Sequence, residues 1–243
     1  MKSIIICEGS TDFVLLQYFM RRAHQWEDYR KPDILNNNFK MIRELKRGTD
    51  SLLIGGAGGC SRIIPCADYI LGINTKANFG EEYNNIIVIT DRDEVSTEED
   101  FLNNFGEIID NRIIERSGEM VANQWIDVVQ KNGMGLDISV RILSLIIPFE
   151  TTGAMETFLL NAIAEENEYD KNIIEKGNHF VDEIDPEQRY LNKRRYITKA
   201  KFDVYFSVRT SAEQFNERQG ILKNVAWENY TRIQHDFGKL ADL

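Results

Sequence analysis

The sequence predicts an α/β protein with a parallel sheet, and three observations carry that prediction. Apolar runs of strand length alternate with helix-length stretches over the first hundred residues. Glycine-rich turn signals separate them, and long β-branched runs recur after residue 125. Residues 3–7 form the first strand. Residues 12–23 (DFVLLQYFMRRA) follow as a helix, with Ser10 or Thr11 available to cap its free backbone N–H groups. After a polar stretch around Asn36, Asn37 and Asn38, "SLLIGGAGGCSRIIPCADYIL" supplies a second strand, a glycine-rich turn and a helix. "NNIIVITDRDE" gives a third strand that ends on acids. "WIDVVQKNGMGLDISVRILSLIIPF" reads as two extended segments about the Asn132-Gly133 turn. Helices are expected over "GAMETFLLNAIAEEN", over residues 186–208 and over roughly 211–236. The division this suggests is a core over residues 1–112, with residues 113–243 extending the sheet and adding helices in one compact unit.

Composition bounds the function. Hydrophobic residues make up 42% of the 243 and charged residues 28%, which suffices for a sizeable core. No run of eighteen apolar residues and no basic-then-apolar leader occurs, so the expected setting is cytoplasmic, away from membranes. Cys7, Cys60 and Cys66 lack zinc-type spacing and read as reduced thiols. His24, His179 and His235 show no ligand spacing. A net charge of −10 opposes a general coating for nucleic acid, because Lys and Arg contacts to phosphate supply most non-specific affinity. Any basic face must be local.

Acids end two of the predicted strands: Glu8 after the first, Asp91 and Asp93 after the third. In an open parallel sheet the C-terminal strand ends line one edge, where ligands bind, so the three carboxylates can converge. Asp91 and Asp93 are two residues apart and point the same way if the chain stays extended, with Arg92 opposite. Two carboxylates about 4 Å apart repel by roughly 4 kcal/mol at an effective dielectric near 20. A converged cluster must therefore take up a proton or a hard cation, and Mg²⁺ or Mn²⁺ suits an all-oxygen donor set. The bland alternative is that such acids are turn residues and caps. Asp12 in particular is placed to favour the positive end of its own helix, a contribution of roughly 0.3 to 1 kcal/mol.

"IIICEGSTD" followed some eighty residues later by "IIVITDRDE" resembles the TOPRIM domain, whose signature is a strand-end Glu-Gly and a later strand-end Asp-x-Asp. The intervening "GGAGG" is similar to that domain's second-strand turn. The resemblance implies a Rossmann-like sheet with helices on both faces, metal-ligand roles for Asp91 and Asp93, and an acid–base or ligand role for Glu8. Among TOPRIM proteins, the overcoming-lysogenization-defect (OLD) nucleases are similar in adding an acid four residues after the first, matched by Asp12. They also carry a glutamate on a later helix, for which "IIPFETTGAMETFLL" offers Glu156, with Glu150 a weaker substitute. Glu156 also has the ordinary reading of an acid in a helix's first turn. The chain has no G-x-x-x-x-G-K-[ST] motif, so the ATPase half of the OLD proteins is not represented.

A phosphotransfer site also wants a fixed cation. On a helical wheel "YLNKRRYITKAKFDVYFSV" places Lys201, with Arg194, in a stripe formed by Tyr190, Ile197, Val204, Tyr205 and Val208, and Lys199 nearly opposite. This favours Lys201 as the functional lysine over Lys199. Lys193, Arg194, Arg195 and Lys199, interleaved with Tyr190 and Tyr196, form a basic and aromatic stretch able to hold a phosphate backbone or stack a base, or else a solvated helix face. The expectation is a metal-dependent nuclease or related phosphotransfer enzyme using one or two Mg²⁺ or Mn²⁺ ions held by Glu8, Asp12, Asp91, Asp93 and Glu156, acting on DNA or RNA. The alternative is a non-catalytic metal- or nucleic-acid-binding subunit that works beside a separate ATPase.

Overall fold

The alternating runs assemble into one eight-stranded sheet, in a computed structural model that describes residues 1–32, 38–212 and 217–243. In chain order the elements are β1 (Lys2–Cys7), α1 (Ser10–Ala23), β2 (Glu27–Arg30), β3 (Met41–Arg47), β4 (Asp50–Gly56), α2 (Ile63–Asn74), β5 (Asn85–Asp91) and α3 (Thr97–Asp110). Then follow β6 (Glu115–Arg116), β7 (Trp125–Lys131), β8 (Asp137–Ile147), α4 (Met155–Glu166), α5 (Glu168–Ile184), α6 (Arg194–Arg209), α7 (Arg218–Asn224) and α8 (Thr231–Asp236). The strand order is β2-β3-β4-β1-β5-β8-β7-β6. β4, β1, β5 and β8 are mutually parallel in the centre, and antiparallel strands extend both sides.

Period-two alternation explains the layers, since successive strand side chains face opposite sides. Ile5, Cys7, Ile87, Ile89, Leu143 and Leu145 pack under α1, α4 and α6, joined by Leu15, Phe158 and Phe202. Ile4, Ile6, Ile86, Val88 and Ile142 face the other way, against Ile70 of α2 and Phe105 of α3. Both faces of the central strands are buried, which is why those strands read as continuous apolar runs. The sheet crosses residue 112 without interruption, because β8 pairs with β5 from Asn85↔Arg141 to Asp91↔Ile147. Among the described residues no helix is long and apolar enough to cross a membrane.

Several expectations change. β3 (MIRELKR) carries so many charges that it does not read as a strand, yet it pairs antiparallel with β4 along its whole length. The helix expected from residue 186 begins only at Arg194. Pro186 disfavours helix at Asp185, whose carboxylate instead accepts the N–H groups of Arg189, Tyr190 and Leu191 at 3.0, 2.7 and 2.7 Å. The helix expected over 211–236 is broken into α7, a 3-10 turn at Trp227–Asn229 and α8, and its residues 213–216 lie outside the described residues, as do Asn36 and Asn37. The Asn132-Gly133 turn does join β7 and β8 into a hairpin.

Candidate functional site

Three strand-to-helix junctions meet at the C-terminal edge of the parallel strands. Glu8 directly follows β1, and Asp91 is the last residue of β5. The two strands are neighbours with Cys7 beside Ile89, so the acids emerge close together. β8 ends at Ile147 beside Asp91, and the chain returns through Gly153 to begin α4. The first turns of α1 and α4 therefore both face this edge, where free N–H groups and the helix dipoles favour negative charge.

Each acid is seated by a specific contact. Asp91 Oδ1 accepts the Met155 N–H at 3.1 Å. Asp12 Oδ2 accepts the Gly9 N–H at 2.9 Å, and Glu156 Oε1 accepts the Thr11 hydroxyl at 3.0 Å. Asp12 and Glu156 are 5% and 4% exposed. The helix α1 starts at Ser10, earlier than expected, so neither Ser10 nor Thr11 caps it. Asp12 instead reaches back to the Gly9 N–H, and serves as both helix cap and member of the acid cluster. Glu8 Oε2 is buried without any hydrogen-bond partner. The Glu8 main chain is fixed, its carbonyl accepting the N–H groups of Gly58 and Gly59 at 2.9 and 3.1 Å. Those two residues have φ of +88° and +138°, a backbone that only glycine adopts without strain.

Burial makes the cluster reluctant to carry its full charge. Glu8 is pushed from 4.5 up to about 7, chiefly by burial and then by the charges of Asp12 and Asp93, against the pull of backbone amides at Asp91 and Cys60. Burial pushes Asp12 from 3.8 to about 6, resisted by the Gly9 N–H and reinforced by Glu156. Asp91 is raised well above the usual carboxylate range by burial and then by Asp12, Glu8 and Glu156. Behind them the buried Cys7 thiol is also pushed well up, which leaves it unreactive.

Glu8, Asp12, Asp91 and Glu156 line one wall of a cleft of about 150 Å³, and Arg195, Thr198 and Lys199 of α6 form the other. Arg195 donates to the Tyr196 hydroxyl at 3.2 Å, and neither Arg195 nor Lys199 has a carboxylate partner among the described residues. Lys201 is elsewhere. Its ammonium bonds Asp182 of α5 at 2.9 Å and borders a separate cleft of about 270 Å³. The preference for Lys201 over Lys199 is thus overturned, and the reason is helical phase. Tyr190 lies before the helix and is 71% exposed, while Val208 is 54% exposed, so neither marks the buried face. Phe202, Tyr205 and Phe206 do mark it. At about 100° per residue, Arg195 and Lys199 fall within about 60° of Phe202, and Lys201 about 100° away.

Asp93 corrects a second expectation. Strand β5 ends at Asp91, and Asp93 does not follow it into the cleft. Its side chain is 52% exposed and stands 3.7 Å from Arg194 Nη1. Arg92 turns away to donate to the Pro148 carbonyl at 2.8 Å and pairs with Glu98. As the side chains stand, no group of three or more His, Cys, Asp or Glu among the described residues is set to hold a metal ion. Glu150 is exposed and 3.5 Å from Arg232. His179 and His235 pair with Glu183 and Asp236, and His24 packs on Phe19, away from the cleft. A larger concavity, about 840 Å³, lies at the opposite strand ends near Met1 and Lys2, where Lys2 donates to the Glu81 carbonyl and covers the Tyr83 ring. Thr11 was expected only as a helix cap, and Arg195 only as one of the basic stretch; the i−7 and i−3 spacing of Arg195 and Lys199 from Phe202 was the signal that sets these two apart.

The sheet order and the acid-lined cleft define a mixed α/β protein with a candidate site at the C-terminal edge of its parallel strands. The chain belongs to the family described as protein of unknown function (DUF3226), which matches residues 2–237. Among solved structures it is similar to a hypothetical protein from Pyrococcus horikoshii OT3, at 16% identity over 87% of this chain and 91% of that one, with a TM-score of 0.48. A lactoylglutathione lyase from Agrobacterium tumefaciens aligns at 11% identity over 58% of this chain and 91% of that one, with a TM-score of 0.18. No curated protein matches.

Proposed function

We propose that this chain is a TOPRIM-like, divalent-metal-dependent phosphotransfer enzyme that hydrolyses nucleic-acid phosphodiesters. The observation that carries the reading is a cluster of four carboxylates around one cleft, in which Glu8 Oε2 has no hydrogen-bond partner and the opposing cations Arg195 and Lys199 no carboxylate partner among the described residues. Raised carboxyls and an unpartnered buried oxygen are what a hard cation would relieve, so the donor set fits Mg²⁺ or Mn²⁺. Glu8, Asp12, Asp91 and Glu156 would hold it, and Asp93 would complete the set on turning inward. Such ions, one or two, would supply neutralisation of phosphate charge and a more acidic water.

The remaining work falls to the chain's own groups. Arg195 and Lys199 face the position a phosphate would take and meet charge developing on its oxygens. Glu8, through the carboxylate oxygen that the ion leaves free, takes a proton from the attacking water as the new P–O bond forms, and returns it to the leaving oxygen as the ester P–O bond breaks. Lys193 and the exposed Tyr190 and Tyr196 continue the basic surface and suit a single strand, by backbone contact and stacking.

A second reading, a metal- or nucleic-acid-binding regulatory subunit working with a separate ATPase, draws support from the outward position of Asp93 and the net charge of −10. One experiment separates the two. Purified protein is incubated with single- and double-stranded DNA and RNA in Mn²⁺, beside Asp91→Asn, which keeps an acceptor for the Met155 N–H. Cleavage by the wild type that is lost in the variant supports the enzyme. Binding without cleavage supports the regulatory subunit, and neither cleavage nor binding overturns both.

A further inference from the structure

Arg194 is the first residue of α6, and its guanidinium reaches back to the loop after β5. Nη1 stands 3.7 Å from Asp93 Oδ1, and Nη2 donates to the Arg92 carbonyl at 3.4 Å. That same carbonyl accepts the Gly153 N–H at 2.8 Å, so its position is fixed from the opposite side by the segment leading into α4. The acceptor is anchored, whereas the Arg194 and Asp93 side chains lie partly open to solvent, 45% and 52% exposed. An ion pair this open and this long is weak. Asp93 does not line the cleft, but its charge is close enough to add to the raised proton affinity of Glu8.

We propose that Arg194 is a positioning residue that acts as an internal counter-ion, holding Asp93 out of the carboxylate cluster until an oxyanion such as a substrate phosphate draws the guanidinium away. This rests on the metal-dependent reading above and adds a gate to it. Asp93 stands with Arg194, and among the described residues no group of three or more His, Cys, Asp or Glu is set to hold an ion. Arginine pairs with phosphate through two parallel N–H bonds, a geometry its single long contact to Asp93 lacks. A phosphodiester arriving beside Arg195 and Lys199 would capture Arg194 and release Asp93 in the same step. Metal would then be bound more tightly when substrate is present.

The test measures Mn²⁺ binding to the full chain by calorimetry and by the loss of the free-ion electron paramagnetic resonance signal, without nucleic acid. Arg194→Gln is expected to tighten Mn²⁺ binding by roughly twofold to fivefold, the scale of freeing one exposed ion pair. In an Asp93→Asn background the same substitution is expected to change little, because there is no carboxylate to release. Equal tightening in both backgrounds would mean that Arg194 merely repels the ion, and would overturn the gate. Sulfate, compared with chloride at matched ionic strength, is expected to tighten Mn²⁺ binding to the wild type and not to Arg194→Gln; no difference between the anions overturns release by an oxyanion. Mn²⁺ binding that depends on Asp91 but is indifferent to Arg194 refutes the gate and leaves the metal site standing. Absence of Mn²⁺ binding in every variant refutes both.

Discussion

At the scale of single residues, the burial and crowding of carboxylates in the cluster cost stability once those groups ionise. Glu8 and Asp12 have folded-state values of about 7 and about 6 against ordinary values of 4.5 and 3.8. The folded protein therefore holds protons that the unfolded chain has already released. The resulting stabilisation is fully present below about pH 4, fades as pH rises through this window and is gone above about pH 7. Without metal, the midpoint of urea unfolding is expected to fall between pH 5 and pH 8. Adding Mg²⁺ or Mn²⁺ should raise it markedly at pH 8 and hardly at pH 5, where protons occupy the same oxygens. A stability profile that rises through this window, or a metal effect independent of pH, would contradict the assignment. Asp12→Asn removes one of the repelling charges and retains an oxygen for the Gly9 N–H. It should stabilise the metal-free protein by roughly 1 to 3 kcal/mol at pH 8 while lowering Mn²⁺ affinity at least tenfold, as denaturation and calorimetry would show.

At the scale of elements, α6 decides which cations meet the acids. Its buried face, Phe202, Tyr205 and Phe206, locks the helix rotation, and the same face continued toward the N-terminus presents Thr198, Lys199 and Arg195 to the cleft. Lys201 leans aside onto Asp182. Lys199→Gln is accordingly expected to lower cleavage by roughly ten- to a hundredfold without changing the unfolding midpoint. Lys201→Gln should leave cleavage within about twofold and cost no more than about 1 kcal/mol of stability, the worth of an exposed ion pair. A reversed pattern would restore Lys201 to the site. The wheel drawn from the sequence included Tyr190, which belongs to the loop organised by Asp185, and that residue drew the apolar stripe toward the wrong side.

At the scale of the whole molecule, a net charge of −10 means that the proposed nucleic-acid binding would rest on a local basic surface, for which Lys193, Arg195 and Lys199 beside the cleft are the candidates. With Lys193, Arg195 and Lys199 as the contacts, about three phosphates are neutralised, so log affinity should fall with log salt at a slope of roughly −2 to −3. Filter binding across a salt series would check this. A slope near −6 would mean that contacts beyond these three residues carry the binding.

Glu8, Asp91, the glycine turn and the α/β class were legible because each is written in local sequence: apolar runs of strand length, acids at their ends, and Gly58 and Gly59 where the backbone takes a positive φ. That Glu156 meets Thr11 across 145 residues, that Asp93 turns out to Arg194 and that Lys199 displaces Lys201 were not. Those outcomes depend on how α4 and α6 seat on the sheet, which fixes helix rotation and side-chain direction through contacts far apart in sequence. The chain by itself determined which acids reach the edge of the sheet. Only the packing of helices over that edge decided which of them share a cleft, because burial and charge act through distance in space rather than along the chain.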